Sequence, residues 1–198
     1  MTATEYDDIA RVGVVGCGLM GSGIAEVCVR AGLDVLVVES SDAAAEAGHE
    51  RLEKSLQRAE ARGKLDSAAE LLDRITVVTD LEQLADRQLV IEAIVEDERL
   101  KVDLFRELDR IVKEPEALLA SNTSSIPIMK LAVATARPTQ VVGIHFFNPV
   151  PVLSLVELVP SLLTAGETTA RARDFVETVL GKHAILSQDR AASWSTPC

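Results

Sequence analysis

Six residues constrain this chain more than any others. Gly16-Cys17-Gly18-Leu19-Met20-Gly21 stands between a short β-branched run, Arg11 to Val15, and a stretch from Met20 to Ala31 whose apolar residues return at helical spacing. A strand that ends in such a turn and feeds a helix is the start of a βαβ unit built to hold a dinucleotide. Gly16 permits the tight turn, Gly18 lets the backbone approach a pyrophosphate, and Gly21 lets helix and strand pack closely. The phosphates would lie at the helix N-terminus, where unsatisfied N–H groups and the positive end of the helix dipole favour an anion without any lysine. Glu39 follows a second buried strand, Asp34 to Val38, at the place where such units carry a ribose-binding acid. Its carboxylate suits ribose hydroxyls and repels a 2′-phosphate. Ser40 and Ser41 bring no positive charge, so NAD is favoured over NADP.

The pattern continues down the chain. Gly32 ends the first helix, and Ser41-Asp42 opens a long amphipathic helix running to about Arg62, with Gly63 behind it. Ile75 to Val78, Leu89 to Ile94, Leu118 to Ser121 and Val141 to Phe147 read as strands, and Arg99 to Val112 as a helix between two of them. Such alternation predicts an α/β fold of the doubly wound Rossmann type, a mostly parallel sheet with helices on both faces. One domain over 1–190 is expected, followed by a short tail over 191–198.

With 20 basic and 31 acidic residues the chain has a formal charge of −11, which disfavours nucleic acid and anionic membrane surfaces as partners. No apolar run reaches the length of a membrane span, and the acidic start lacks a signal-peptide pattern. Cys17, Cys28 and Cys198 offer neither a zinc spacing nor an even disulfide set. A reduced cytoplasmic setting and no metal are expected.

Two segments carry candidate chemistry. Ser121-Asn122-Thr123-Ser124-Ser125 follows a predicted strand, so its hydroxyls fall where open sheets bind ligands, although serine turns are commonly caps. The strand Val141 to Phe147 delivers His145, then Asn148-Pro149, with Glu157 in the next apolar segment. A carboxylate on one imidazole nitrogen fixes the tautomer and raises the basicity of the other, which can then take a proton from an alcohol. A buried histidine with a structural role is the competing reading.

Taken together, VGVVGCGLMGSGIA, EAIVEDERLK, ASNTSSIPI and HFFNPVPVLSLVELV resemble the 3-hydroxyacyl-CoA dehydrogenase family, in order and at family-like distances, from about Arg11 to Arg190. The resemblance implies reversible hydride transfer between a (3S)-3-hydroxyacyl-CoA, such as 3-hydroxybutyryl-CoA, and NAD. It implies His145 as general base, Glu157 as its orienting acid, and Ser124 as donor to the substrate's 3-oxygen. Leu19 and Met20 would offer backbone groups to the pyrophosphate, and Glu96, Lys101 and Asn148 would line the nicotinamide half. Ser55 and a basic residue at Arg62 or Lys64 would help hold coenzyme A. For Lys101 and Ser55, a solvated helix face is an equal alternative. A cofactor-binding module without catalysis is the competing function.

The tail departs from the family. After Asp189-Arg190 the family continues into a Gly-Phe-Val-Val-Asn segment and a helical domain, which supplies an asparagine to the substrate carbonyl and the dimer interface. Here the chain reads Ala191-Ala192-Ser193-Trp194-Ser195-Thr196-Pro197-Cys198. Writing Ala-Gly-Phe-Val-Val-Asn-Thr-Leu-Leu in GC-rich codons and deleting one G at the first junction reproduces all eight of these residues. The expectation is therefore a single-base frameshift and an enzyme impaired by truncation. Resequencing the gene checks it, and finding no single-base loss between this frame and a family-like one overturns it.

Overall fold

The computed structural model describes residues 9–189, so the tail at 191–198 lies outside the described residues. Eight strands form one sheet in the order β3-β2-β1-β4-β5-β6-β7-β8. They are β1 (Arg11–Val15), β2 (Asp34–Val38), β3 (Ile75–Val78), β4 (Leu89–Glu92), β5 (Leu118–Ser121), β6 (Val141–Phe146), β7 (Leu155–Pro160) and β8 (His183–Leu186). From β3 to β6 every pairing is parallel. β7 runs antiparallel to β6, and β8 runs parallel to β7.

The helices are α1 (Leu19–Arg30), α2 (Asp42–Glu60), α3 (Ala68–Leu72), α4 (Glu98–Ile111), α5 (Ile128–Ala132) and α6 (Gly166–Asp174). Because strand side chains alternate, the central strands must be apolar at every position to be covered on both faces. Val12, Val14, Val35, Val37, Leu89 and Ile91 pack into a core with α1 and α2. Leu36, Val38, Val90 and Leu119 pack on the other face against Leu104, Phe105 and Leu108 of α4 and Leu131 of α5. The doubly wound expectation therefore holds, with one antiparallel step at β7.

Where the observed bounds differ from the sequence reading, local hydrogen bonds give the reason. The fourth strand stops at Glu92 rather than Ile94, because the Glu92 carboxylate takes the Ile94 amide at 2.8 Å and turns the chain off the sheet. The long helix stops at Glu60 rather than Arg62, ahead of a turn in which Gly63 has φ +65°. The helix predicted from Arg99 begins one residue earlier, because the Asp97 side chain accepts the Leu100 amide at 2.9 Å. The helices α3 and α5 are too short to show a period in the sequence, and α6, which runs on through a wider helical turn at Phe175–Val179, buries Thr168 and Arg171 on its inner face, which masks its apolar period.

Candidate active site

At the carboxyl end of β1 the glycine-rich turn meets α1 without any side-chain cap at Gly18, so the first-turn amides face outward. Gly16 has φ +93°, a backbone region that other residues resist. A Cβ on Gly21 would lie 1.8 Å from the Gly16 carbonyl oxygen, whereas one on Gly18 would meet nothing within 4 Å. The turn is thus closed on its protein side and open in front, a cradle with room for a ligand. Glu39 accepts hydrogen bonds from the amides of Cys17 and Ser40, which fixes its carboxylate beside the turn with lone pairs to spare. Burial, with the Glu39 charge adding to it, pushes the Cys17 thiol up to about 12, so this thiol is inert as a nucleophile.

On the other side of β1 the chain builds its charged chemistry. β7 is registered so that Glu157 stands opposite His145 on β6. The Glu157 carboxylate lies 2.9 Å from His145 Nδ1, and both side chains are partly buried. An ionised carboxylate there accepts from Nδ1–H and leaves Nε2 as the acceptor nitrogen. The His145 and Phe147 rings lie 4.7 Å apart, which restrains the imidazole from its flank. His145 opens onto a cavity of about 390 Å³ that Met20, Glu96, Lys101, Ser124 and Asn148 also line. Five residues the sequence singled out, in the glycine turn, the EAIVEDERLK segment, the serine-rich turn and the end of β6, thus meet His145 around one space.

Residues 11–190 match the family described as 3-hydroxyacyl-CoA dehydrogenase, NAD binding domain. A 3-hydroxybutyryl-CoA dehydrogenase from Mycobacterium tuberculosis is 56% identical over 93% of this chain. The chain belongs to the 3-hydroxyacyl-CoA dehydrogenase family. A probable 3-hydroxybutyryl-CoA dehydrogenase from Deinococcus radiodurans is 47% identical over 90% of the chain. The crystal structure of Mycobacterium tuberculosis FadB2 superimposes with a TM-score of 0.91 at 56% identity, covering 93% of this chain and 66% of that one. That of (S)-3-hydroxybutyryl-CoA dehydrogenase from Ralstonia eutropha gives 0.87 at 42% identity, covering 92% and 65%. The chain spans 65% of the length of the Mycobacterium relative and 64% of the Deinococcus one. Its Rossmann fold is therefore that of the NAD-binding domain of 3-hydroxyacyl-CoA dehydrogenases, and NAD is the cofactor.

Within this dehydrogenase domain, Lys101 is not on a solvated helix face. It is 1% exposed, and its ammonium bridges Glu92 at 2.9 Å and Glu96 at 2.8 Å. Glu92, wholly buried, also accepts from the Ser121 hydroxyl, while Glu96 accepts from the Thr123 and Ser125 hydroxyls. Burial works against the Glu96 charge, yet hydrogen bonds from Lys101, Thr123 and Ser125 outweigh it and hold the carboxyl down to about 2. The serine-rich turn is therefore tied to the β4 loop on both sides of Ser124, which is itself exposed. Asn122 accepts the Phe146 amide at 2.8 Å and joins this turn to the end of β6. The signal for Glu92 was present in the sequence as the one charge in Leu89-Val90-Ile91-Glu92, but its partner lies nine residues away.

Ser55 also escapes the solvated-face reading. Its hydroxyl donates to Glu26, a buried acid that Arg30 pairs at 3.2 Å. Arg62, Lys64, Arg30 and Arg58 line a second cavity of about 170 Å³ with Ser55, and its far wall is Pro149, Pro151 and Val152. Among the described residues no helix is long and apolar enough to cross a membrane.

Proposed function

We propose that this chain serves NAD-dependent oxidation of a (3S)-3-hydroxyacyl-CoA, of the 3-hydroxybutyryl-CoA kind, to the 3-oxoacyl-CoA. The observation that carries the proposal is the 2.9 Å His145–Glu157 contact beside a cavity shared with Ser124 and Asn148. His145 Nε2 takes the proton of the C3 hydroxyl as the C3 hydrogen departs with its electron pair, and the C3 carbonyl forms. Glu157 orients the ring and stabilises the imidazolium that results. Ser124 donates to the 3-oxygen. NAD bound at the glycine cradle would supply the hydride acceptor; Leu19 and Met20 would offer amides to its pyrophosphate, Glu39 would accept from its ribose hydroxyls, and Glu96, Lys101 and Asn148 would line its nicotinamide half. The cationic pocket at Ser55 and Arg62 suits the phosphates of coenzyme A.

Ser124 is exposed among the described residues, so its hydroxyl is open to an incoming substrate. The second reading, an NAD-binding module without catalysis, is supported by the match of residues 11–190 to the NAD-binding domain alone. NADH oxidation by acetoacetyl-CoA, run beside NADH fluorescence binding on one preparation, separates the two. Turnover that requires His145 supports the dehydrogenase. Tight NADH binding with no acetoacetyl-CoA-dependent oxidation supports the module, and absence of NADH binding overturns both.

A further inference from the structure

Lys182 sits between α6 and β8, is 8% exposed, and among the described residues has no carboxylate partner. A buried ammonium is costly unless its donors are taken. Here Nζ donates to the carbonyl of Val150 at 2.8 Å and to that of Leu153 at 2.6 Å. Both carbonyls belong to the turn that joins β6 to β7, where the Val152 and Leu153 amides both donate to the Pro149 carbonyl at 3.0 Å. One wall of this turn is Asn148, at the His145 cavity, and the other is Pro149, Pro151 and Val152, at the cationic pocket. Its underside is fixed by Val150, whose side chain fills the space a Cβ on Gly23 of α1 would need. Two carbonyls pointing at one buried cation cannot move independently of it, since each would leave charge or dipole unpaired.

We propose that Lys182 is a positioning residue that sets the turn 149–153 and so the wall of the cationic pocket, giving that pocket the width that admits a coenzyme A phosphate-bearing moiety. The step to coenzyme A rests on the function proposed above. The step from Lys182 to the turn does not. Burial and the neighbouring Arg30 charge both press the Lys182 ammonium toward the neutral form, and the two carbonyl acceptors oppose them.

The test compares the parent chain with Lys182→Met and Lys182→Arg. Coenzyme A binding is measured by titration calorimetry, NADH binding by fluorescence, and amide exchange at Val152 and Leu153 by NMR or mass spectrometry. In Lys182→Met, faster exchange at both amides and coenzyme A binding weakened by about tenfold or more are expected, with NADH affinity within about twofold of the parent and most of the loss recovered in Lys182→Arg. Unchanged exchange in Lys182→Met overturns the assignment of Lys182 to the turn, whatever coenzyme A does. Equal losses of coenzyme A and NADH affinity overturn it too, since they mean a general loss of fold. Faster exchange in a chain whose parent form never binds coenzyme A leaves the turn assignment standing and overturns the pocket's ligand.

Discussion

The two sides of β1 reach function by different means. Toward β2, the dinucleotide cradle is made of backbone: Gly16 in a positive-φ turn, Gly21 against the Gly16 carbonyl, and uncapped amides at the start of α1. Its acid is Glu39, held in place by the amides of Cys17 and Ser40, and the Arg51 guanidinium donates to the Cys17 carbonyl from the side of α2. Toward β4 to β7, the site is made of side chains that meet from afar, with Glu92 and Ser121 29 residues apart, Asn122 and Phe146 24 apart, and His145 and Glu157 12 apart. The first half depends on space, and at Gly16 and Gly21 it tolerates no added atoms. The second depends on charge pairing and tolerates shape changes better than loss of a partner.

The sharpest way to break this contrast is to add atoms to the cradle. Gly21→Val places a side chain where even a Cβ would be 1.8 Å from a carbonyl oxygen, so loss of NADH binding by more than about a hundredfold is expected, with a lowered melting temperature. Retention of parent-like NADH affinity on fluorescence titration would show that the backbone shape is not what selects the ligand.

On the other side, His145→Gln is expected to lower acetoacetyl-CoA-dependent NADH oxidation by about a thousandfold while leaving NADH affinity within about twofold. A parallel loss of NADH binding would mean that the two halves are not separable. Glu157→Gln keeps the shape of its partner contact and removes its charge. A smaller loss of turnover is expected, about ten- to a hundredfold, again at constant NADH affinity. Activity equal to the parent's would reduce Glu157 to a strand residue that happens to face a histidine.

The smallest effect concerns acid. Glu96, held down to about 2 from an ordinary 4.5, is more acidic folded than unfolded. Its contribution to stability is therefore complete above about pH 4.5 and fades as pH falls toward 2. Acid titration of the parent and of Glu96→Gln should show the parent losing more stability across that window, and superimposable slopes would remove Glu96 from the network that holds Ser124.

Much of the first half was legible in the sequence because its determinants are local. A turn, a helix period and an acid at the next strand end lie within 24 residues, Gly16 to Glu39, and each follows from steric or dipolar rules that act between near neighbours. The second half was legible as a set of chemically suitable residues, with the pairing of His145 and Glu157 implied by the family resemblance rather than by the pattern of strands. That Glu157 faces His145 depends on β7 reversing direction, and alternation of strands and helices cannot signal such a reversal. Lys101 and Ser55 look like ordinary helix-surface residues by position, yet one bridges two carboxylates and the other serves a buried acid. Lys182 carried no pattern at all, since its acceptors are carbonyls, which every residue has.

By itself the sequence determined the doubly wound class, the cofactor turn and the residue types available for proton transfer, because periodicity, glycine sterics and functional-group chemistry are properties of short segments. Only the tertiary structure decided which carboxylate serves which cation and which carbonyls a buried ammonium holds. Those choices are fixed by desolvation, which makes a partner obligatory, and by strand register and helix packing, which bring the partner there.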